Sequence, residues 1–353
     1  MYNNRKNGLK ATFAVVLFSL CLTTFSKAQQ FESPVDYMQF ISEQHLAISQ
    51  DMMSYTSAAA HSKRAKKIDR KRQELLKTSL SARNKISKMP GYEGDKSYRD
   101  AVVEYLKISY SVLNEDYAKI VDMEEIAEQS YDNMEAYLLA QERASEKLNE
   151  ASITLDKHKE EFADQHNIRL VQNETKLSAK IEEANKVIKY YNQVYLIFFK
   201  SYKDESYLLD AVKAKDLNAL EQSKNTMLKN AGEGVSKVNQ VKVINDDHSL
   251  RLAAQNMLKF YKSEAEQGAT KITNYMLTKE NFETVKSNFE KIKQSKRTQA
   301  DVDKYNKAVQ DFNKAVEDYN ANNEELNKNR SKLLAAWNKA ADKFMDNNVP
   351  KYK

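Results

Sequence analysis

The chain has 353 residues, 30% of them charged, with 56 Lys and Arg against 50 Asp and Glu. Six Gly, three Pro and one Cys are too few to punctuate a β-sandwich or a nucleotide-binding α/β fold, and they exclude a disulfide scaffold or a Cys-based zinc site. Twenty Tyr and thirteen Phe supply enough apolar surface to exclude wholesale disorder.

Residues 1–28 read as a secretory signal peptide. Arg5, Lys6 and Lys10 form a basic start, residues 11–25 an apolar run, and Ser26-Lys27-Ala28 a small-residue cleavage site before Gln29. The run is short for a bilayer core of roughly 30 Å, so removal rather than anchoring is expected. Leu20 stands before Cys21 where a lipoprotein signal wants a small residue, which argues against lipidation. Cleavage would take the formal charge from +6 to +2, because Arg5, Lys6, Lys10 and Lys27 leave and no carboxylate does. A near-balanced chain makes no electrostatic case for nucleic acid. The longest later apolar stretch, 194–199, cannot span a membrane. The expectation is an exported protein: periplasmic, on the outer-membrane surface, or secreted.

No Gly or Pro falls between Gly94 and Gly232, and that stretch is rich in Ala, Glu, Lys, Leu and Gln, a composition that fits helix. Helices are predicted at 35–58, 62–89, 97–122 and 130–166, then at 169–204, 208–231, 249–277, 280–294 and 300–345. A capping pattern, Ser97 followed by Asp100, is expected to open the third of these. In the last, Val302, Val309, Val316, Asn323, Arg330, Trp337 and Phe344 recur every seven residues. Tyr305, Phe312, Tyr319, Leu326, Leu333 and Ala340 interleave with them, giving a heptad seam with polar intrusions at Asn323 and Arg330. Such a seam suits the outer helix of an antiparallel bundle, the favoured reading, or an intermolecular coiled coil.

The chain also resembles itself. Residues 76–120 align without a gap to 228–272, with 12 identical pairs in 45 positions, among them Asp95/Asp247, Arg99/Arg251 and Leu106/Leu258. Phe162-Ala163-Asp164 is similar to Phe344-Met345-Asp346. The expected architecture is therefore all-α: two tandem antiparallel long-helix bundles of the four-helix type, at 29–167 and 168–350, related by an internal duplication.

Ser33-Pro34-Val35-Asp36-Tyr37, Met89-Pro90-Gly91-Tyr92-Glu93-Gly94-Asp95, Ser97-Tyr98-Arg99-Asp100-Ala101 and Phe162-Ala163-Asp164-Gln165-His166-Asn167-Ile168 occur in this order. Over 33–168 the chain resembles an uncharacterised family of exported all-helical bacterial surface proteins found in spirochaetes and Bacteroidota. The second unit resembles that family only through the first and lacks its Pro-Gly loop. The resemblance implies export and a surface or envelope location; it implies no reaction and no catalytic residues.

Residue patterns for chemistry are sparse. No mature His follows a Glu by three positions, and no His-Glu-x-x-His occurs, so no metal site is assigned. Asn245-Asp246-Asp247 lacks the further ligands of a calcium loop and reads as a helix cap. Arg99 and Arg251 read as residues that tie inter-helix loops. No nucleophile elbow, phosphate-binding loop or catalytic Cys is present, and no cofactor is expected. Two clusters remain. Lys63, Arg64, Lys66, Lys67, Arg70, Lys71 and Arg72 form a basic run that could meet an anionic polymer or an acidic partner, or could be a solvated face balanced by Asp122, Glu124, Glu125 and Glu128. Tyr191, Tyr195, Phe198 and Tyr202 share a helical face that could be core or an aromatic interface. The function expected is non-enzymatic contact with an envelope or surface protein or anionic polymer, with a periplasmic small-ligand or metal-binding bundle as the alternative.

Overall fold

The computed structural model describes residues 31–62, 64–171 and 176–352. The signal peptide expected at 1–28 lies outside the described residues.

Among the described residues the protein is all-helical, with no strand. The first helices are α1 (Pro34–His61), α2 (Ala65–Ser87), α3 (Ser97–Ser111), α4 (Tyr117–Ala127) and α5 (Tyr131–Gln165). They are followed by α6 (Lys176–Ala214), α7 (Leu217–Gln240), α8 (Ser249–Ser263), α9 (Ala269–Lys291) and α10 (Gln299–Asn348). Two π-turns, Val112–Asp116 and Glu264–Gly268, carry α3 into α4 and α8 into α9 without a break. No described helix is long and apolar enough to cross a membrane.

Capping side chains set the boundaries. Ser33 accepts from the Asp36 amide at 3.1 Å, with Pro34 in the first turn where its missing N–H costs nothing. Ser130 opens α5 by accepting from the Asn133 amide, and Thr298 with Asp301 makes a reciprocal capping box on α10. Two expected boundaries fall elsewhere. The break expected after residue 204 comes only at Lys215, because the capping carboxylate is Asp216, which accepts from the amides of Asn218 and Ala219. The break expected near 278–280 does not occur, since nothing there caps or interrupts the helix and aromatic pairing continues across it. α3 begins at Ser97 as expected, although Ser97 does not cap it: the Asp95 carboxylate accepts from the Ser97 amide at 2.8 Å.

The loops at 88–96 and 241–248 are tied as the arginines suggested, although through carbonyls. Arg99 donates to the Met89 carbonyl at 2.7 Å, and Arg251 to that of Val241 at 3.4 Å.

The core has two main parts. Tyr37, Ile41, Ile86, Val102, Leu106 and Phe162 pack together from α1, α2, α3 and α5. A larger cluster joins α6, α7 and α8 to the C-terminal half of α10, through Leu208, Leu220, Met227, Leu258, Tyr261 and Phe344. Gly234 permits the close approach of α7 to α8, since a Cβ there would lie 2.8 Å from a Leu258 methyl.

The heptad seam of α10 is filled from within the same chain. Its C-terminal half lies in the larger core, while its N-terminal half runs antiparallel to α9. Tyr275, Phe282 and Phe289, themselves seven apart, stack on Tyr319, Phe312 and Tyr305 at centroid distances of 4.3, 4.8 and 4.7 Å. Past Met276, α9 has α10 as its packing partner, so about 22 Å of two-helix arm extends from the bundle. At the opposite end of α10, His61 bonds Asp346 at 3.0 Å and the Val349 carbonyl at 3.1 Å. The Tyr352 amide donates to Ser57, fastening the chain end to α1.

Candidate functional site

The α4–α5 turn, held by Asn133 donating to the Ile126 carbonyl at 3.1 Å, stands against the middle of α6. Met134, Tyr137, Leu138 and Gln141 recur at helical spacing on one face of α5, and Tyr191, Asn192 and Tyr195 on the facing side of α6. These residues line a groove of about 230 Å³ whose third side is the last turn of α4, with Glu124, Ala127 and Glu128. Its apolar lining, Ala127, Met134 and Leu138, packs with the buried Phe199 and with Leu196 behind it.

The rings are ordered. Tyr191 stacks on Tyr195 at 5.9 Å with 13° between planes, and Tyr195 stacks on Phe199 at 5.5 Å. Asn192 bonds the Gln141 amide across the groove, and Lys189 pairs with Glu142 at 2.8 Å at its far end. Glu124 and Glu128 have no ion pair among the described residues. Burial pushes the Tyr137 phenol up to about 12, with the Glu124 charge adding to the rise. Burial likewise raises Tyr195, helped by Tyr191 and Glu128, and raises Tyr191, helped by Asp342.

Of the four aromatic residues singled out from sequence, the groove takes two. Tyr191 and Tyr195 are half-buried and line it. Phe198 points away and is 3% exposed, stacked on Trp337 at 4.4 Å, so it is core. Tyr202 is 37% exposed and packs its ring near Phe198 and Phe199 outside the groove. Helical spacing placed all four on one side of α6, but that side meets two neighbours, α5 and α10.

The basic run divides. Lys63 lies outside the described residues. Arg72 is half-buried, donating to the Leu113 carbonyl at 3.3 Å and to Asp69 at 3.0 Å. Lys71 and Arg70 reach Glu74 at 2.7 and 3.7 Å. The carboxylates that balance the run thus come from its own helix, and Glu124 and Glu128 face the groove instead. Arg64, Lys66 and Lys67 are exposed at the start of α2.

A second polar constellation, seen from sequence only as an intrusion in the seam, lies inside the larger core. Arg330 of α10 donates at 2.5 Å to Glu205 of α6 and at 2.5 Å to Glu264, the first residue of the second π-turn. Glu205 and Glu264 are 3% and 1% exposed. Burial drives the Glu264 carboxyl far above the ordinary carboxylate range, reinforced by Glu205 and opposed by Arg330. Asn322, one position from the predicted intrusion Asn323, donates to the Gly268 carbonyl in the same π-turn at 3.2 Å.

No group of three His, Cys, Asp or Glu among the described residues could hold a metal ion. Comparisons with protein families, curated proteins and solved structures find no match for this chain.

Proposed function

We propose that this is an exported, non-enzymatic helical protein of the bacterial envelope or surface that works through contacts with a protein or an anionic polymer. The arm carries the reading. It projects side surface beyond the bundle, and its two helices are joined by a row of stacked aromatic rings. The signal-type start, the resemblance of 33–168 to exported helical proteins and the exposed Arg64, Lys66 and Lys67 support the same reading. Crosslinking in intact cells followed by identification of the attached species tests it, together with sequencing of the mature N-terminus. An N-terminus at Gln29 and a specific envelope partner are expected; an unprocessed chain or an absence of adducts would overturn the reading. Neutralising Lys66, Lys67, Arg70 and Lys71 together should weaken retention on an anionic envelope polymer several-fold. Unchanged retention would remove the basic run from the contact.

We also infer that 29–167 and 168–350 are duplicated four-helix units. In support, α3 with its π-turn and α8 with its π-turn stand 152 residues apart throughout. Asp51 bonds Thr78 as Asp204 bonds Asn230, and Tyr37 meets Phe162 as Tyr190 meets Phe344.

The groove favours a second reading, a periplasmic bundle that binds a small ligand, because Glu124 and Glu128 on its rim have no ion pair among the described residues. Calorimetric titration with small metabolites separates it from the first reading.

A further inference from the structure

The free end of the arm carries a charge that its sides do not. Between Lys291 and Ala300 the chain turns from α9 into α10 with four cations, Lys291, Lys293, Lys296 and Arg297, and no carboxylate. Along the flanks, residues 277–290 and 301–318, five cations stand among eight carboxylates. The arm is therefore positive at its tip and net negative along its length.

The tip is ordered by its own contacts. Arg297 donates from Nε to the Ile292 carbonyl at 3.2 Å, and its guanidinium lies over the Phe289 ring at 4.3 Å. A short helical turn, Gln294–Lys296, sits within the loop, with the Lys296 amide donating to the Lys293 carbonyl at 2.8 Å. Arg297 thus closes the loop, while Lys291, Lys293 and Lys296 are exposed and have no ion pair among the described residues. The carboxylates next along the chain are engaged: Glu290 stands 4.0 Å from Lys286, and Asp301 caps α10 with Thr298.

Size and charge together decide what fits this end. Two helices of about 10–12 Å diameter, side by side, present roughly 200 Å² end-on, against about 800 Å² per partner in a stable protein interface. A polyanion lying along the arm would meet the negative flanks. A planar anionic surface met end-on needs no shaped partner, and lysines serve it as mobile point charges rather than as geometric forks. Ile292, half-buried between Lys291 and Lys293, offers the headgroup layer one aliphatic side chain.

We propose that the tip of the arm docks end-on on an anionic phospholipid bilayer through Lys291, Lys293 and Lys296, with Arg297 holding their loop in shape. This goes beyond the contact reading above, adding a lipid partner at a site separate from the basic run of α2. Each lysine at such a surface strengthens partitioning about fivefold, so the three together contribute on the order of 100-fold. The attraction acts within a Debye length of about 8 Å, a reach that takes in the tip and leaves most of the arm outside it.

Vesicle sedimentation with the chain from Gln29 onward, which holds every described element, tests this. Vesicles containing phosphatidylglycerol should retain it at least about tenfold better than phosphatidylcholine alone, and the difference should shrink as salt rises. Lys291→Gln with Lys293→Gln and Lys296→Gln should cut that retention at least about tenfold. Lys304→Gln with Lys307→Gln and Lys314→Gln removes the same charge from exposed positions on the α10 flank and should leave retention within about twofold. The chain from Gln29 has no cysteine, so a nitroxide placed by Ser295→Cys or by Ser331→Cys is unique. These exposed positions lie roughly 50 Å apart along the arm and α10, and a nickel-chelating lipid should relax the label at 295 but not at 331.

Equal loss in the tip and flank variants would reduce binding to net charge and overturn the tip as its site. Equal retention on soluble polyphosphate, matched for phosphate, would overturn the bilayer in favour of a polyanion. Relaxation at 331, or no retention on anionic vesicles, would overturn the docking outright, while the crosslinking test of the envelope reading would stand unaffected.

Discussion

Arg330 holds two buried carboxylates at once, and the cost of that arrangement can be measured. Removing one partner from a buried ion network leaves uncompensated charge, whereas replacing the whole network with apolar residues is often neutral or stabilising. In the register proposed for the two units, Met52, Val112 and Leu148 stand where the second unit has Glu205, Glu264 and Arg330. Val112 is fully buried and packs with Leu148, so the first half fills the place with hydrocarbon. Arg330→Leu alone should therefore destabilise the protein by about 3–5 kcal/mol. The triple change Glu205→Met, Glu264→Val and Arg330→Leu should return stability to within about 1 kcal/mol of the parent or above it. Urea unfolding at neutral pH distinguishes the two. Because burial raises Glu264, the folded protein binds more protons than the unfolded chain above the ordinary carboxylate range. Its contribution is complete at acid pH and erodes as pH climbs from that range toward alkaline values. Glu264→Gln should flatten that decline, as read from unfolding midpoints between pH 5 and 9.

Among elements, the arm is the place where sequence was most and least informative. The seven-residue recurrence in α10 was legible because hydrophobic spacing is a property of one helix. Its partner was not, since Tyr275, Phe282 and Phe289 form a sparse row inside an otherwise polar segment and sit across a predicted break. The intramolecular pairing answers the choice between bundle helix and intermolecular seam within this chain. The groove was illegible for a related reason. Met134, Tyr137 and Gln141 are unremarkable positions on α5, and only the docking of α5 on α6 gathers them beside Tyr191 and Tyr195. Phe282→Ala with Phe312→Ala removes the central stacked pair of the arm, whose planes lie within 2°. Local opening should become easier by about 1–3 kcal/mol. Hydrogen exchange should lose protection over 277–291 and 299–318 while Met227, Leu258 and Tyr261 keep theirs. Uniform loss across α7 and α8 would show that the arm is not a separate unit of stability.

For the whole molecule, the chain end matters as much as the arm. His61 of α1 and Ser57 beside it receive Asp346, Val349 and Tyr352, so the last residues brace the first described helix. The larger core joins helices from α6 onward to α10, and the smaller one joins α1, α2, α3 and α5. The groove lies where these two bodies of packing meet, through α5 and α6. A ligand there would touch both bodies, whereas a partner on the arm would touch α9 and α10.

A π-turn amounts to one extra residue let into a helix, and this has a consequence for the phasing of everything after it. Between Glu264 and Gly268 the widened turn absorbs that residue, so α9 leaves α8 in the phase of a regular helix one residue shorter. Inserting one alanine after Ala269, in regular helix, would swing the downstream side chains by about 100° around the axis. Tyr275, Phe282 and Phe289 would then look away from α10, and the two helices of the arm should part. A spin-label pair at positions 286 and 308 would record the separation, with the parent protein showing one narrow distance and the insertion a broad, longer one.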